Sequence, residues 1–230
     1  MPVRLPVLGC GGASAASSNP PVLVQSKNNF TTNGTCAATF NSTTVSGNTI
    51  VVQIAARVIF SSISVTDNKS NTYVVGNARD EHSGNNIQQL WSYYVLNASG
   101  GSSHAITVTI TESPGENKAE TTVIIHEVSG TLTASALDQK TSSEGNGSSP
   151  ASGNITTATN NEIYFGLGWV TGGNSTYSQP SGWTETYNAG LSNNDMVAGY
   201  KTAASGTHAY APTSSLSGDW LAHISSYKPA

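Results

Sequence analysis

The stretch Asn48–Gly76 constrains the fold of this 230-residue chain more than any other part of the sequence. It begins with the apolar run Ile50–Ile54 and continues into two β-rich runs, Ile63–Thr66 and Thr72–Val75, on either side of the cluster Asp67–Asn71. Asp, Asn and Ser side chains hydrogen-bond their own backbone and accept left-handed turns, so this arrangement predicts a β-hairpin. A chain that contains such a hairpin is expected to fold as a β-sandwich.

Other β-rich runs differ in how many of their faces are apolar. In Ala105–Thr111 every second residue is Ile or Val and the rest are Ala or Thr, which predicts a half-buried strand. Asn86–Leu96 and Thr121–Val128 are apolar on both faces, which is typical of central strands. Glu162–Val170 contains two glycines, which indicates close approach of a neighbour. Further strands are predicted at Val22–Gln25, Cys36–Phe40, Gly182–Tyr187, Met196–Thr202, His208–Tyr210 and Trp220–Tyr227.

These patterns define the expected organisation of the chain. The segment Thr141–Gly153 is rich in Ser and Gly without periodicity, so it is predicted to be a long loop or hinge. No stretch shows an apolar 3.6-residue repeat with a capping signal, so almost no helix is expected. We predict an all-β, antiparallel sandwich of about a dozen strands in one domain over residues 21–230, after a Gly/Ala/Ser tail at residues 1–20.

The succession of strands and turns resembles that of a loosely defined group of bacterial and phage-associated surface modules. The resemblance runs from Val22 to Lys228, through the segments GNTIVVQI, SVTDNKSNTYVV, LWSYYVLNASGGSSHAITVTI, TTVIIHEVSG, PSGWTETYNAG, MVAGYKTAA and GDWLAHISSYK. It implies a jelly-roll-like sandwich at the cell surface, on a particle or in the extracellular space. The resemblance implies no catalytic residues.

Composition limits the partners of this chain. Only 10% of its residues are charged, and Ser, Thr, Asn and Gly are abundant, as in many secreted β proteins. The net charge is −4 with nine Lys and Arg, so a basic surface for nucleic acid is not expected. No apolar run approaches the roughly 20 residues of a transmembrane helix. Asn-linked glycosylation sequences occur about as often as chance gives in a chain this rich in Asn, Ser and Thr.

The cysteines and the oxygen-rich acidic clusters suggest a disulfide and a metal site. Cys10 and Cys36 are the only two cysteines, so one disulfide between the tail and the domain is a hypothesis, with two free thiols as the alternative. Calcium is the metal that the oxygen-rich clusters would suit, but neither cluster has the spacing of an EF-hand loop. A self-stabilised turn and a solvated loop explain the same clusters without a metal. The candidate ligands are Asp67, Asn68, Asn71, Asp80 and Glu81.

Two hypotheses concern a bound ligand or substrate. Trp183, Tyr187 and Tyr177 lie in a Gly/Ser/Asn-rich loop and the strand after it, where exposed rings would stack on sugars in a carbohydrate-binding module or lectin-like adhesin. The alternative is that the Trp183 indole closes one end of the sandwich. A glycoside hydrolase or lyase would need paired carboxylates such as Glu127 and Glu112.

The leading hypothesis is a non-catalytic structural or adhesive subunit of an extracellular filament, pilus-like fibre or particle coat. An open sheet edge accepts a strand from a neighbouring copy, which supplies backbone hydrogen bonds and side-chain specificity together. The partners expected are copies of the same chain and, in the alternative, glycans. The predicted donor or contact residues are Val3, Leu5, Val7 and Leu8 in the tail, and Val22, Leu23 and Val24 after it.

Overall fold

The computed structural model describes residues 19–57, 60–77, 80–82, 88–115, 120–189 and 196–230. All regular elements in these ranges are β-strands, and paired strands run antiparallel. The predicted all-β antiparallel fold is therefore confirmed. Within the same ranges, no helix has the length and hydropathy needed to cross a membrane.

The strands fall into two successive parts of the chain. Those of the first part are β1 (Val22–Thr31), β2 (Thr35–Thr39), β3 (Thr49–Arg57), β4 (Phe60–Asp67), β5 (Val74–Val75), β6 (Asp80–His82), β7 (Gln88–Val95), β8 (Ala105–Glu112) and β9 (Glu120–Ser129). Those of the second part are β10 (Leu137–Gly147), β11 (Ile155–Thr157), β12 (Glu162–Val170), β13 (Tyr177–Ser178), β14 (Thr184–Ala189), β15 (Met196–Ala203), β16 (Gly206–His208), β17 (Thr213–Ser214) and β18 (Gly218–Tyr227).

Each part builds one main sheet and a smaller layer outside it. The first main sheet has the order β1-β9-β3-β7-β5, with β6 also paired to β7, and the second has the order β10-β18-β12-β15-β14. The outer sheet of the first part is β2-β8-β4, and two outer ribbons, β11-β16 and β13-β17, belong to the second part.

The two parts repeat one strand order. In both main sheets the first strand of the part pairs with its last strand, and the last strand pairs with a long buried one, β3 or β12. The two ribbons correspond to the outer sheet if β16 and β17 together take the place of β8. The chain therefore contains a topological repeat, which the sequence analysis did not detect.

The core of the first part lies between its main sheet and the outer sheet. Alternate residues of β3 point into it, including Ile50, Val52 and Ile54, which are at most 1% exposed. They meet Ile106 and Val108 from β8, whose alternating burial confirms the predicted half-buried strand. This alternation follows from the two-residue period of a strand.

A second core, called here the joint, lies between the two main sheets. One cluster in it brings Ala55, Leu90 and Ile124 of the first sheet against Leu167 and Trp169 of the second. The first main sheet is thus covered on both faces, and β3 and β12 are buried along nearly their whole length. Double coverage explains why these strands read as continuous apolar runs.

The predicted hairpin around Asp67–Asn71 is wrong. The strand before the turn, β4, pairs with β8 in the outer sheet, whereas the strand after it, β5, pairs with β7 in the first main sheet. The turn therefore carries the chain from one layer of the sandwich to the other. Local turn chemistry is the same in both cases, so it does not determine which strands pair.

The predicted loop at Thr141–Gly153 is also wrong over its first half. Strand β10 continues to Gly147 and pairs with β18 as far as Gly218. As an edge strand with one neighbour, β10 keeps both polar faces accessible, so it lacks the apolar alternation on which strand prediction depends. The strands number more than the predicted dozen because several have only two or three residues. The jelly-roll-like arrangement and the single domain over residues 21–230 stay predictions.

Candidate functional site

The two parts of the chain meet at a surface groove of about 440 Å³, called here the joint groove. One wall is the start of β1 with the two prolines before it, and the other is the end of β15 with the turn that follows. A hydrogen bond of 3.4 Å from the Thr202 hydroxyl to the Pro21 carbonyl links the walls. The lining residues are Pro20, Pro21, Val22, Leu23, Asn161, Tyr200, Thr202, Ala203 and Ala204, none of which is charged.

The floor of the joint groove continues into the joint. Leu23 and Tyr200 are half-buried and pack on the cluster that contains Val128, Phe165 and Tyr227. The Tyr200 ring stacks on Phe165 with 6.4 Å between ring centroids. An apolar side chain entering the groove would therefore extend an existing core, which is the geometry of a binding groove for an apolar segment.

One wall of the groove has an incomplete strand ladder. Strand β14 pairs with β15 from Ala189 opposite Met196 to Thr184 opposite Tyr200, and no further. The next residues of β15, Lys201–Ala203, are paired on the β12 side only among the described strands. An edge of this kind offers backbone donors and acceptors to an added strand.

Exposed valines lie on both edges of the first main sheet. On β1, Val22 is 57% exposed and Val24 is 48% exposed, and on β5, Val74 is 51% exposed and Val75 is 39% exposed. Strand β1 has ten residues, of which only Lys27 is charged. Natural edge strands usually carry charges or prolines that block edge-to-edge pairing, so these edges are suited to contact with another chain.

The predicted assembly residues separate into two groups. Val3, Leu5, Val7 and Leu8 lie outside the described residues. Val22, Leu23 and Val24 form the start of β1, where Val22 pairs with Ser129 and Leu23 with Val128 of the same chain. In the single chain Val22–Gln25 is already part of its own sheet, and its role as a strand donated to a neighbour stays a prediction.

The predicted sugar-binding rings are buried. Tyr177 is 6% exposed, Tyr187 8% and Trp183 9%, so the expectation of exposure is wrong. Trp183 packs edge-to-face on Tyr210, with 4.7 Å between ring centroids, in a core cluster that also contains Tyr164. The alternative, in which the indole closes one end of the sandwich, stays a prediction. A flat sugar-stacking platform would need an accessible ring face, which these residues do not offer.

The calcium candidates in the Asp67 turn are committed to hydrogen bonds. Asp67 Oδ1 accepts from the backbone N–H of Lys69 and Asn71, at 2.9 and 3.1 Å. Asp67 Oδ2 accepts from Asn71 Nδ2, the Tyr73 hydroxyl and His104 Nε2, at 2.7 to 2.9 Å. Burial acts to raise the pKa of Asp67, but the donors from Asn71, His104 and Lys69 outweigh it and lower the pKa to about 2.

The amide oxygens of the same turn are occupied as well. Asn68 Oδ1 accepts from the Ala105 N–H, and Asn71 Oδ1 accepts from the Ser99 N–H. The turn is therefore stabilised by its own contacts, in which these carboxylate and amide oxygens already accept hydrogen bonds. The side chains of Asp80 and Glu81 lie outside the described residues. In the part of the chain that is described, His, Cys, Asp and Glu form no group of three suited to a metal.

Cys36 is a free thiol in the core of the first part. It is fully buried, and burial raises the pKa of its thiol to about 12. Cys10 lies outside the described residues. The hypothesis of a disulfide at Cys36 disagrees with this position, because a partner would have to enter the packed core.

Glu127, the carboxylate considered for hydrolysis, is a fully buried structural acceptor. It accepts from Gln25 Nε2 at 2.6 Å and from the Val45 N–H and Asn48 Nδ2 at 2.7 Å. These bonds hold the start of β1 and the turn before β3 against β9. The arrangement leaves this carboxylate without the access that a general acid or nucleophile needs.

A carboxylate pair that the sequence analysis did not predict lies beside the start of β12. Glu162 is fully buried near Ser226, and neither of its carboxylate oxygens has a well-formed hydrogen bond to a described residue. Burial raises the pKa of Glu162, Ser226 opposes this and Asp138 adds to it, so the pKa is about 7. Asp138 in turn forms an ion pair with Lys228 at 2.8 Å. The only sequence signal was an acidic residue at the start of an apolar run.

A band of polar side chains crosses the joint. His126 Nε2 lies 3.0 Å from Gln53 Oε1, its Nδ1 lies 3.0 Å from the Ser26 hydroxyl, and its ring packs on Phe165 at 4.8 Å. His223 is fully buried, and neither of its ring nitrogens has a hydrogen-bond partner among the residues that the structure describes. Burial lowers the pKa of both imidazoles to about 3, so both are neutral at physiological pH.

Lys201 is held in a fixed environment next to the joint groove. His208 donates from Nε2 to the Ala204 carbonyl at 2.9 Å, which leaves its Nδ1 to accept from Lys201 Nζ at 3.1 Å. The ammonium also lies 4.9 Å from the centre of the Trp183 ring and 5.5 Å from that of Tyr164. These contacts brace the end of β15 and give it a fixed position.

Comparison of the chain with protein-family models, with curated proteins and with solved structures found no match. The function is therefore argued from the geometry of the edges and of the joint groove.

Proposed function

We propose that this protein is a non-catalytic structural subunit of an extracellular assembly, such as a filament, a pilus-like fibre or a particle coat, made of copies of the same chain. The observation that carries the proposal is the pair of valine-bearing edges, β1 and β5, on opposite sides of the first main sheet. Two different edges of one sheet favour head-to-tail contacts, which generate rings or filaments.

Surface chemistry supports the same proposal. With 10% charged residues, the chain has few charges to keep copies apart or to require an oppositely charged partner. Strand pairing between copies removes exposed Val22 and Val24 from water while satisfying backbone groups on the β1 edge. The extracellular setting rests on the hydroxyl-rich, charge-poor composition that is common among secreted β proteins.

The test compares the intact chain with edge variants by size-exclusion chromatography with light scattering over a range of protein concentrations. Assemblies that grow with concentration are expected for the native chain. Val24→Lys is expected to shift the population towards monomer, because a lysine on the edge opposes pairing. Val45→Lys is the matched control, since Val45 is 59% exposed but lies outside the strands.

Two results would contradict the proposal. One is a native chain that stays monomeric at every concentration. The other is an assembly that Val24→Lys and Val45→Lys weaken equally, because edge pairing would then not be its basis. Circular dichroism of both variants checks that they remain folded.

A further inference from the structure

We propose that the joint groove binds the amino-terminal arm of a second copy, with the segment Val3–Leu8 adding a short strand to the free edge of β15. This inference rests on the proposed function and names the contact through which copies are linked. It starts from the coincidence of an apolar floor, made by Leu23 and Tyr200, with the one-sided ladder at Lys201–Ala203.

The sequence of the arm matches this groove. In Val3–Leu8, Val3, Leu5 and Val7 alternate with Arg4 and Pro6, so a strand here places the first three on one face. That face suits the apolar floor, and Arg4 on the other face remains in water. Pro6 lacks an N–H and is accepted at a sheet edge when its nitrogen faces away from the ladder.

The wall of the groove favours an arm from another copy. Pro20–Leu23, which forms this wall, is joined directly to the protein's own arm. The protein's own Val3–Leu8 would have to reverse direction within Gly9–Asn19 and pass the wall before it reached β15. The same linker spans at most roughly 40 Å when extended, which is enough to reach a neighbour that is already in edge contact.

Recognition in this groove depends on shape and backbone pairing. None of the lining residues is charged, so the face of the occupant that enters the groove should be apolar and uncharged. Backbone hydrogen bonds to β15 supply affinity, and the pocket between Leu23 and Tyr200 selects the side chain, as in other strand-addition complexes.

The native cysteine of the arm provides a test with the full-length chain. In the variant Ala204→Cys, a thiol is placed on the exposed rim of the groove, while Cys36 stays unreactive because it is fully buried. Natural-abundance and heavy-nitrogen-labelled copies are mixed, oxidised mildly and digested. Mass spectrometry then measures the peptide pairs in which a disulfide joins Cys10 to the thiol introduced at position 204. Pairs that join the two isotopes come from two different copies.

Mixed-isotope pairs between Cys10 and the introduced thiol are the expected result. A docked arm holds Cys10 at a local concentration of about 1 mM, so at about 10 μM protein the yield should exceed that of the control by roughly a hundredfold. The control is Ala211→Cys, another exposed alanine that lies outside the groove. In parallel, Ala204→Trp should reduce assembly in light scattering, whereas Ala211→Trp should leave it unchanged.

The outcomes separate this inference from the proposed function. If every disulfide-linked pair carried a single isotope, the arm would occupy the groove of its own chain. If the yield equalled that of Ala211→Cys, the arm would not dock in the groove. Either result overturns the inference. Assemblies that persist without mixed pairs leave edge contact through Val22 and Val24 as the basis of the proposed function, whereas a monomeric chain without mixed pairs contradicts both.

Discussion

At the scale of single residues, two fully buried carboxylates differ in how their charge is satisfied. Glu127 accepts three hydrogen bonds of 2.6 to 2.7 Å, so its charge is compensated where it lies. Glu162 has no well-formed hydrogen bond within the described part of the chain and lies near Asp138. Burial and the nearby Asp138 outweigh the opposing effects of Ser226 and Thr159 and favour the protonated form of Glu162, so this carboxylate responds to pH more than Glu127 does.

We predict that Glu162→Gln removes a dependence of stability on pH. Because the pKa of Glu162 is raised to about 7 in the folded chain, its contribution is fully present below about pH 4.5 and is lost as the pH rises through 7. At pH 8 the variant should be more stable than the native chain by about 1 to 3 kcal/mol. Urea unfolding at pH 5 and pH 8 measures the difference, and equal gains at both pH values would contradict the prediction.

Residue contacts also show where sequence reasoning reached its limit. The Gly/Ser/Asn-rich surroundings of Trp183 indicated a turn, and Trp183 does lie at the end of a turn before β14. Its exposure was misjudged because Tyr210 and Lys201, which cover the ring, lie later in the chain, Lys201 in β15 and Tyr210 between β16 and β17. A local pattern does not contain such partners.

At the scale of elements, β12 shows a sequence signal that the structure explains. Its two glycines predicted close approach of a neighbour, and the Tyr210 ring packs directly on Gly166. A Cβ at Gly166 would lie 2.1 Å from that ring, whereas a Cβ at Gly168 would meet Pro212 Cγ at 3.4 Å. An added side chain should therefore reduce the stability of the fold much more at Gly166 than at Gly168.

Gly166→Ala is expected to destabilise the protein by about 3 kcal/mol or more, because the Tyr210 ring is buried and has no room to move. Gly168→Ala, on the same strand, is the matched control and should change stability by about 1 kcal/mol or less. Thermal unfolding followed by tryptophan fluorescence measures both. Similar losses at the two positions would contradict the role given to Tyr210.

Pairing between elements was the part of the fold that the sequence did not determine. Buried strands such as β3 and β12 were found because coverage on both faces leaves a nearly continuous apolar run. Strand β10 was missed because an edge strand keeps polar residues on both faces. The Asp67 turn was recognised as a turn, but its bonds to His104 and Asn71 are compatible with a crossing between layers as well as with a hairpin.

At the scale of the whole molecule, the joint holds the two parts of the chain together through a core that includes a polar band. His126 is hydrogen-bonded to Gln53 and Ser26, but His223 has no such partner among the described residues. Protonation of a buried imidazole would place a charge inside the joint, so acid is expected to weaken the joint. The candidate site shares this location, because the joint groove opens at one end of the same interface.

We predict that acid weakens the joint through these two histidines. Because their pKa values are lowered from 6.5 to about 3, the stability that they contribute is present above about pH 6.5 and is lost as the pH falls towards 3. Each histidine should remove about 1.4 kcal/mol per pH unit in this range. His223→Leu should roughly halve the slope, measured as urea midpoints at several pH values, and an unchanged slope would contradict the prediction.

The pairing of β1 with β9 also determines how tension would pass through an assembly linked by its arms. The two strands are matched from Val22 opposite Ser129 to Thr31 opposite Thr121, and the arm continues from the Val22 end. Ladder hydrogen bonds lie across the strand axis, so a pull along β1 loads all of them in shear at the same time. A fibre linked in this way would resist stretching along its length more strongly than peeling from the side.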